Sequence, residues 1–554
     1  MLPKYIFVSG GVLSGLGKGV VSASIGFLLQ SRGYKVTPVK CENYINIDSG
    51  LINPIEHGDP FLCEDGTEAD MDMGTYEKFL NKNVGKHNFI TMGQIYQEVI
   101  RKERNFEYQG EDVEAIPHVS DEIIRRIKEA GEIERADIVV VELGGTAGEY
   151  QNALYYEASR IMKSVHHDTV THVHVSYVPT PFHLGEPKTK PTQLSVHYLN
   201  SMGIQPDFIV CRSEKAIDER RRQRLAMFCS VDTESVINNP DEKIIYNVPL
   251  TFAKQNFDQK ILKLMGLSAK KLNIQNWENF VQKTKTAKKE VKIVIVGKYF
   301  ATGDYQLRDS YAALFDALDH AGWFLGAKVR SEWINAENIN EQSLNGLKGL
   351  IVPIGWGERG VEGMIRAIKY AREQKIPYLG LCYGMQLAAV EFARNVAKLE
   401  DASSTEVNPK TKYPIIHTIP SQKEIIKRRA YGGTMRLGSW DCRIKEDTIS
   451  FSAYQEFNWL KSTPRAKSRG LKEKVVSERH RHRYEFNNAY SKALSDCGLV
   501  ISGRSVIENL AEIIELPRNI HPFFVGTQFH PEYKSRPLSP HPLFVAFLRS
   551  SLYN

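Results

Sequence analysis

Residues 376–386 read IPYLGLCYGMQ, a short apolar run that enters a Gly-x-Cys-x-Gly turn and then a helical pattern. A strand that turns sharply into a helix raises one side chain above its sheet, and flanking glycines permit the strained backbone. Cys382 occupies the raised position, where the helix N-terminus favours the thiolate form. The helix is predicted to bury one apolar face, formed by residues at helical spacing: Met385, Ala389, Phe392 and Val396.

A second motif, residues 528–532, reads QFHPE and supplies an imidazole and a carboxylate. Thiol, imidazole and carboxylate can act as nucleophile, base and orienting acid, so Cys382, His530 and Glu532 are candidate catalytic residues. The alternative is a small buried cysteine and a core histidine. A glycine-elbow cysteine followed by a distant His-Pro-Glu resembles class I glutamine amidotransferases, which release ammonia from glutamine.

The bulk composition is that of an ordinary globular protein of 554 residues, long enough for two or more domains. No apolar run is long enough to span a bilayer, and the N-terminus lacks a signal-type pattern, so we expect a cytoplasmic protein without a membrane partner. Seven scattered cysteines do not resemble a disulfide framework. A net charge of +7 is mild and does not argue for a nucleic-acid partner.

The N-terminus predicts a phosphate-binding loop. Residues 4–8 form an apolar run, residues 9–19 read SGGVLSGLGKG, and a helical pattern and a second strand at residues 36–39 follow. Loop amides and Lys18 could cradle phosphates at the helix N-terminus. The loop departs from the standard P-loop because its glycine spacing is off by one and Gly19 stands where Ser or Thr would bind magnesium. The alternative is a structural turn with an incidental lysine.

Two carboxylates are candidate Mg²⁺ ligands. Glu142 ends the apolar run of residues 138–141, and Asp72 lies in residues 69–74, which read ADMDMG. A carboxylate at the carboxyl end of a buried parallel strand faces the crevice in which nucleotides bind. Magnesium prefers hard oxygen ligands and usually combines one or two carboxylates with substrate phosphates and water.

These motifs, with others in the same order along the chain, resemble the CTP synthase family over essentially the whole sequence. The motifs that carry the resemblance are residues 10–19, 40, 44–48, 56–58, 65–66, 71–74, 102–104, 116–118, 142–146 and 188–193. Residues 188–193 read KTKPTQ, and two lysines and a hydroxyl on one turn would suit a triphosphate.

The resemblance implies three sets of binding residues. ATP would be bound by Gly15, Leu16, Gly17, Lys18, Gly19, Val20 and Asp72. UTP or CTP would be bound by Ser14, Lys40, Glu149, Tyr150, Gln151, Lys188, Thr189, Lys190, Pro191, Thr192, Gln193 and Arg224. Glutamine would be bound by Gly355, Tyr383, Gln386, Glu406 and Arg483, with the amides of Gly355 and Tyr383 forming an oxyanion hole.

The resemblance also implies the reaction and the partners. The family aminates UTP to CTP with ATP and with ammonia from glutamine or from solution, through a 4-phosphorylated UTP. GTP is expected as an activator, CTP as a feedback inhibitor and Mg²⁺ as the cofactor with ATP. A homotetramer is expected, with filament formation as a further option.

The expected fold class is α/β, with two doubly wound parallel-sheet domains. Residues 1–268 would form a P-loop NTPase-like synthetase domain, and residues 291–554 a flavodoxin-like class I glutamine amidotransferase domain. Polar residues 269–290 read as a linker with about one helical turn. Residues 291–297 and 350–352 are predicted strands of the second domain.

Several positions depart from the family pattern. Residues 148–151 read GEYQ where the family reads Gly-Asp-Ile-Glu, and Glu114 replaces a glutamine. Residues 42–43 are Glu-Asn in place of Asp-Pro, Arg224 replaces a lysine, and Ile354 replaces a glycine beside the oxyanion turn. Residues 148–151 and 114 belong to the pyrimidine and feedback-inhibitor region. Our hypothesis is that catalysis is retained while CTP inhibition is altered.

Four alternatives stay open from the sequence. One is a zinc site at the histidines, although buried strand residues fit their spacing better: His166, His167, His172 and His174. Residues 478–485, ERHRHRYE, could form a nucleic-acid patch, but their interleaved acids argue against it. The chain could also be another glutamine-fed amidoligase of the cobyrinic-acid type, or a nucleotide-binding assembly protein with an inert glutaminase half.

Overall fold

The computed structural model describes residues 3–54, 58–165, 169–299, 301–302, 305–306, 308–340, 342–419, 422–428, 431–461 and 474–553. The chain divides into two compact units. The first comprises Met1–Asp48 and Asp72–Val281, and the second comprises Ser49–Met71 and Gln282–Asn554. The described residues 49–54 and 58–71 therefore pack with the second unit although they come from the N-terminal half of the chain.

The first unit is organised around a parallel sheet that has seven strands in the described residues. They are β1 Lys4–Gly11, β2 Val36–Glu42, β3 Phe89–Thr91, β4 Ile138–Leu143, β5 Val170–Tyr177, β6 Phe208–Ser213 and β7 Val236–Pro240. Their order is β3-β2-β4-β1-β5-β6-β7, and every neighbouring pair is parallel. Continuous apolar runs are expected for such strands because both faces are buried.

Helices cover both faces of this sheet. They are α1 Lys18–Ser31, α2 Asp72–Leu80, α3 Met92–Arg104, α4 Ser120–Ile133, α5 Ala153–Val165, α6 Lys190–Ser201, α7 Glu219–Cys229, α8 Val248–Ala253 and α9 Phe257–Leu264. In β1, Tyr5 and Phe7 enter one apolar core while Ile6 and Val8 enter the other. This alternation confirms the doubly wound architecture.

The predicted linker contains a helix of three turns, α10 Gln275–Thr286, rather than one turn. Trp277 on this helix is buried, and its ring lies 4.4 Å from that of Phe27, 5.5 Å from that of Phe79 and 5.7 Å from that of Tyr246. The aromatic contacts help to explain why a polar stretch folds here, because aromatic side chains bury a large apolar area, and Phe280 and Val281 of the same helix are also buried.

The second unit is organised around a mixed sheet with nine strands in its described residues. They are β8 Lys289–Gly297, β9 Ala327–Asn335, β10 Gly349–Val352, β11 Tyr378–Leu381, β14 Arg436–Ile444, β15 Val475–His482, β17 Val500–Ser505, β18 Ala511–Glu515 and β19 Phe524–Thr527. The order is β9-β8-β10-β11-β19-β18-β17-β14-β15. The first five strands are parallel, and the last four continue the sheet antiparallel.

The remaining elements of this unit complete an α/β fold, which confirms the predicted class. Its helices are α11 Ala312–Phe324, α12 Val361–Glu373, α13 Tyr383–Asn395, α14 Lys423–Lys427, α15 Ile449–Glu456, α16 Ser491–Asp496 and α17 Pro542–Tyr553. A small sheet is formed by β12 Ala402–Ser404, β13 Tyr413–Thr418 and β16 Tyr484–Phe486. None of the helices in the described residues has both the length and the apolar character of a membrane span.

Helix α13 differs from the predicted one-sided helix. All of its residues from Tyr383 to Ala393 are buried, and Val396 is only partly buried after the helix end. The helix packs on the sheet and is also covered by α12 and β12. The polar Gln386 and Glu391 are therefore buried among apolar neighbours, where each needs a partner.

Candidate active sites

Cys382 lies at a sharp turn between β11 and α13. Its backbone has φ 51° and ψ −96°, and its amide donates to the carbonyl of Thr527 at 2.6 Å. A non-glycine residue at positive φ is strained, which is a common feature of functional turns. Glycine is required nearby, since a Cβ on Gly384 would lie 2.0 Å from the carbonyl oxygen of Val352. The strand, the turn and the helix together hold the thiol in one position.

His530 and Glu532 follow the end of β19, the strand beside β11. His530 Nδ1 donates to Glu532 Oε1 at 2.8 Å, and His530 Nε2 is buried with no hydrogen-bond partner in the described part of the chain. Burial opposes the charged imidazole, but the carboxylate of Glu532 and the thiolate of Cys382 outweigh it and raise the pKa of His530 to about 10. At neutral pH His530 is therefore held as an imidazolium.

Besides its interaction with His530, the sulfur of Cys382 has two hydrogen-bond contacts in the described residues. The thiol lies 3.9 Å from the carbonyl oxygen of Arg481, to which it can donate, and Gln528 Nε2 donates to Sγ at 3.5 Å. Gln386 Nε2 orients Gln528 by donating to its Oε1 at 3.3 Å, and it also donates to the carbonyl of Tyr484 at 2.9 Å. The sequence prediction missed Gln528, although it is the first residue of the QFHPE motif.

The turn after β10 is fixed by three side chains. Lys298 Nζ donates to the carbonyls of Trp356 at 2.6 Å and Gly357 at 2.8 Å, and Tyr383 Oη donates to that of Gly357 at 2.6 Å. Glu406 Oε1 accepts from the amide of Gly357 at 2.7 Å. The sequence prediction also missed Lys298. Burial lowers its pKa to about 8, so its charge depends on these contacts and on Glu406.

The departure at Ile354 leaves this turn intact. Ile354 is buried in the apolar core on one face of the sheet, and its carbonyl accepts from Tyr311 Oη at 3.3 Å. The neighbouring Gly355 has little room for a side chain, since a Cβ there would lie 2.9 Å from the Cε of Lys298. The predicted oxyanion turn is therefore held by packing on one side and by hydrogen bonds on the other.

Arg483 is held by hydrogen bonds to Gln422, Tyr431 and Thr434. Its guanidinium donates to Gln422 Oε1 at 2.5 Å, to the carbonyl of Tyr431 at 2.5 Å and to Thr434 Oγ1 at 3.0 Å. It also lies 5.4 Å from the centre of the Tyr431 ring. These contacts set the guanidinium in one place, beside the strand that carries Arg481.

In the first unit, a glycine-containing loop joins β1 to α1. Gly15 and Gly17 have φ of 72° and 81°, and Lys18 Nζ donates to the carbonyl of Gly145 at 2.7 Å. Leu16 points into the apolar core, so only its backbone is available to a phosphate. Gly19 has a direct reason to be glycine, because a Cβ there would lie 2.0 Å from Asp72 Oδ1.

Asp72 and Glu142 meet at the amino group of Lys40. Lys40 Nζ lies 2.5 Å from Asp72 Oδ2, 2.8 Å from Glu142 Oε1 and 3.1 Å from Glu42 Oε1. Tyr76 Oη donates to the other oxygen of Glu142. Burial and the charge of Asp72 raise the pKa of Glu142. Three carboxylates thus surround a small region at the carboxyl ends of β2 and β4.

The residues assigned to the pyrimidine nucleotide lie on several elements of this unit. Glu149 accepts from the amide of Thr146 at 3.0 Å and from Asn43 Nδ2 at 3.4 Å, whereas Tyr150 is 94% exposed. Two of the departures from the family pattern, Asn43 and Glu149, therefore contact each other. The exposed residues further include Ser14, Gln151, Lys190 and Arg224.

Residues 188–193 span the turn before α6 and the first residues of this helix, which begins at Lys190. Lys188 pairs with Glu186, and Gln193 Nε2 donates to Thr189 Oγ1 at 3.2 Å. Thr192 Oγ1 donates to the carbonyl of Tyr177 at the end of β5 at 3.1 Å. The hydroxyl and amide groups thus stabilise the turn, while Lys188 is partly buried beside Glu186 and Lys190 is exposed.

The histidines do not form a zinc site within the described residues. His174 bonds to Ser9 Oγ at 2.9 Å and to Ser195 Oγ at 2.7 Å, which ties α6 to β1. Burial lowers the pKa of both His172 and His174 to about 3, so both are neutral. His166 and His167 lie outside the described residues. The described chain contains no group of three or more His, Cys, Asp or Glu side chains placed to hold a metal.

Comparison with known proteins gives matches to both halves of the chain. The family model described as CTP synthase N-terminus matches residues 4–267, and that described as Glutamine amidotransferase class-I matches residues 306–550. A CTP synthase of Caldanaerobacter subterraneus subsp. tengcongensis is 46% identical over 556 residues, covering 100% of this chain and 98% of the relative. A CTP synthase of Halalkalibacterium halodurans is 45% identical over 558 residues, covering 100% of both chains.

Among solved structures, the glutaminase domain of Trypanosoma brucei CTPS with bound acivicin is 30% identical. The match covers 47% of this chain and 93% of that chain, with a TM-score of 0.40.

Proposed function

Because this chain belongs to the CTP synthase family, we propose that it aminates UTP to CTP with ATP, using ammonia released from glutamine at Cys382. The observation that carries the proposal is the presence of two different reactive sites in one chain. One is the thiol, imidazole and carboxylate of Cys382, His530 and Glu532, and the other is the lysine and carboxylate cluster around Lys40. We assign the synthetase chemistry to residues 1–268 and the glutaminase chemistry to residues 291–554, joined by residues 269–290.

At the glutaminase site, the thiolate of Cys382 would attack the side-chain carbonyl of glutamine. The amides of Gly355 and Tyr383 would stabilise the oxyanion. His530 would give its proton to the departing nitrogen, which leaves as ammonia, and would then take a proton from the water that hydrolyses the thioester. Glutamate is the second product. We assign recognition of the substrate's charged ends to Glu406 and Arg483, and support of the thiolate to Gln386 through Gln528.

At the synthetase site, the 4-oxygen of UTP would attack the γ-phosphorus of ATP, with ADP as the leaving group. Ammonia would then add at carbon 4 and displace inorganic phosphate, which gives CTP. Lys18 and Lys40 would offset the charge on the transferring phosphoryl group. The ammonia must be unprotonated, because ammonium has no lone pair with which to attack.

The residues around Lys40 fit a Mg²⁺ ion that accompanies ATP. Asp72 and Glu142 come from different elements, and their carboxylates already converge on the ammonium group of Lys40. Magnesium bound with phosphates is typically held by one or two carboxylates of this kind. Asp72 and Glu142 would hold the ion, and Lys40 would move toward the phosphates. When bound, magnesium would supply neutralisation of the phosphate charge.

The pyrimidine nucleotide is assigned to the residues that the resemblance implies. They are Ser14, Lys40, Glu149, Tyr150, Gln151, Lys188, Thr189, Lys190, Pro191, Thr192, Gln193 and Arg224. We propose GTP as activator and CTP as feedback inhibitor on the strength of family membership. A cytoplasmic homotetramer is proposed on the same basis. Light scattering of the purified protein with and without ATP and UTP would test the assembly.

We expect CTP inhibition to be weaker than is typical of the family. Glu149 is engaged by Thr146 and Asn43, and Gln151 offers no carboxylate to a ribose hydroxyl. The combined change Glu149→Asp and Gln151→Glu should strengthen CTP inhibition by about 10-fold, which corresponds to about 1.4 kcal/mol. The measurement is an inhibition curve for CTP at several UTP concentrations.

The matched control for this change is Gln259→Glu, which adds a carboxylate at an exposed position of α9. It should leave the curve unaltered. Potent inhibition of the unmodified protein, competitive with UTP, would contradict the hypothesis.

The His530 and Glu532 pair predicts a pH-dependent contribution to stability. The folded-state pKa of His530 lies above the ordinary value of about 6.5, so its stabilisation is complete below pH 6.5 and is lost as the pH rises toward 10. The melting temperature of Glu532→Gln should therefore fall furthest below wild type near pH 6, and the difference should shrink by pH 10. Differential scanning fluorimetry from pH 6 to pH 10 would measure it.

Glu446→Gln, at an exposed salt bridge with Lys474, is the control for this experiment. Its melting temperature should differ only slightly from that of the wild type at every pH. A Glu532→Gln difference that is constant or grows with pH would show that His530 is not held as an imidazolium.

The overall reaction is tested by product analysis. The protein is incubated with UTP, ATP and magnesium chloride, and with either glutamine or ammonium chloride as nitrogen source. Mass spectrometry should show CTP in both reactions. Glutamine hydrolysis without CTP from either nitrogen source would refute UTP as the acceptor.

A further inference from the structure

Residues 49–54 and 58–71, here called the insert, form part of the unit that contains the proposed glutaminase site. Its described residues include a short hairpin, Phe61–Leu62 with Glu68–Ala69. The hairpin lies against β14, where the amide of Ser439 donates to the carbonyl of Glu64 at 2.9 Å. Gly66 and Gly438 approach so closely that a Cβ on Gly438 would lie 2.8 Å from the amide nitrogen of Gly66. The insert is thus a packed element rather than a loose loop.

The insert fixes the residue whose carbonyl contacts the nucleophile. Arg481 Nε donates to Glu68 Oε1 at 2.6 Å, and Arg481 Nη2 donates to the carbonyl of Gly50 at 3.1 Å. Arg481 Nη1 lies 3.8 Å from Asp59 Oδ1. Arg481 is 3% exposed and Glu68 is 2% exposed. The carbonyl of Arg481 is the group that lies 3.9 Å from the sulfur of Cys382. A buried ion pair with several hydrogen bonds therefore holds the strand backbone beside the thiol.

The insert also fixes the residue that packs on the general base. Tyr533 Oη donates to Asp59 Oδ2 at 2.8 Å and lies 3.1 Å from the carbonyl of Pro60. The ring of Tyr533 lies 5.3 Å from the ring of His530 at an interplanar angle of 31°. Tyr533 directly follows Glu532, so its side chain restrains both His530 and Glu532.

A third contact, made by Arg479, also joins the insert to the segment that carries His530. Arg479 is fully buried, and its Nη1 donates to the carbonyl of Leu62 in the insert at 2.8 Å. The carbonyl of Arg479 accepts from the amide of His530 at 2.8 Å. The insert therefore contacts two segments of the candidate site. One is the strand next to Cys382, and the other is the segment that carries His530 and Glu532.

We propose that Asp59 and Glu68 are positioning residues of the glutaminase site, acting through Tyr533 on His530 and through Arg481 on Cys382. The inference rests on the proposed function of Cys382 and His530. Neither carboxylate would touch glutamine. Their role is to hold the base and the strand carbonyl at the geometry in which the thiolate attacks, as supporting residues do for other preorganised sites.

The inference predicts a selective kinetic effect of Glu68→Gln and Asp59→Asn. By analogy with residues that orient metal ligands, whose loss typically costs about 10- to 100-fold, we expect the kcat for glutamine hydrolysis to fall by about 10- to 100-fold. The KM for glutamine should change by less than about twofold, because the substrate-binding groups are untouched. CTP synthesis from ammonium chloride by the same preparations should stay within about twofold of wild type.

Two further variants make the experiment discriminating. Asp65→Asn is the matched control, since it removes a carboxylate from an exposed position of the same hairpin and should leave both activities at the wild-type level. Glu68→Asp keeps the charge and should recover part of the kcat that Glu68→Gln loses.

The inference is overturned if Glu68→Gln and Asp59→Asn both hydrolyse glutamine at the wild-type rate. It is equally overturned if both nitrogen sources lose activity in parallel, which would indicate a general role in folding. Failure of the proposed function would look different, because the wild-type protein would then make no CTP from ammonium chloride. Glutamine hydrolysis by the variants would still decide the role of the insert.

Discussion

Replacing Cys382 with alanine is expected to abolish CTP formation from glutamine while leaving CTP formation from ammonium chloride within about twofold of wild type. The thiol is the only group at the elbow that can form the acyl intermediate, and losing a nucleophile typically costs about 10³-fold or more. The ammonia-dependent reaction is assigned to residues 1–268 and does not require the thiol. Parallel assays of CTP from the two nitrogen sources would measure the effect.

The control for this substitution is Cys497→Ala, which removes an exposed cysteine distant in sequence from both motifs. It should leave both reactions unchanged. Residual glutamine-dependent activity of Cys382→Ala above a few per cent of wild type, or loss of the ammonia reaction as well, would contradict the assignment of the two sites.

Replacing Asp72 with asparagine is expected to have the opposite selectivity. CTP formation from both nitrogen sources should fall by about 10²-fold or more, because the variant loses one of the two carboxylates assigned to magnesium and to phosphoryl transfer. Glutamine hydrolysis in the absence of nucleotides should persist. Asparagine is nearly the same size as aspartate, so the close contact with Gly19 should be preserved.

Asp121→Asn provides the matched control for that experiment. Asp121 lies in the first turn of α4 and is exposed, so the substitution makes the same charge change at a similar helix position. Raising the magnesium concentration should partly restore activity to Asp72→Asn if the lost ligand weakens metal binding. Full activity of Asp72→Asn at low magnesium would refute the assignment.

Much of the framework could be predicted from local pattern. The β1 run, its glycine-rich loop and α1 are contiguous, so their periodicity and turn residues identify them without any knowledge of partners. The same holds for β8 and for the elbow at Cys382. Both fall in the α/β fold class that the sequence indicated.

The contacts that build the two sites could not be predicted in the same way. The approach of Asp72 to Lys40 depends on how α2 packs against β2, and sequence spacing does not encode that packing. Arg479 and Arg481 resemble exposed basic residues in the sequence, yet both are buried because the insert supplies their partners. The antiparallel half of the second sheet likewise depends on pairings between distant segments.

Trp277 gives the protein a built-in optical probe. The sequence contains six tryptophans, and the other five lie between residues 323 and 459. Trp277 alone belongs to the first compact unit, where it is sealed among Phe27, Phe79 and Tyr246. Replacing the other five with phenylalanine would leave one fluorophore whose emission wavelength and quenching by acrylamide follow the opening of the synthetase core separately from the glutaminase half.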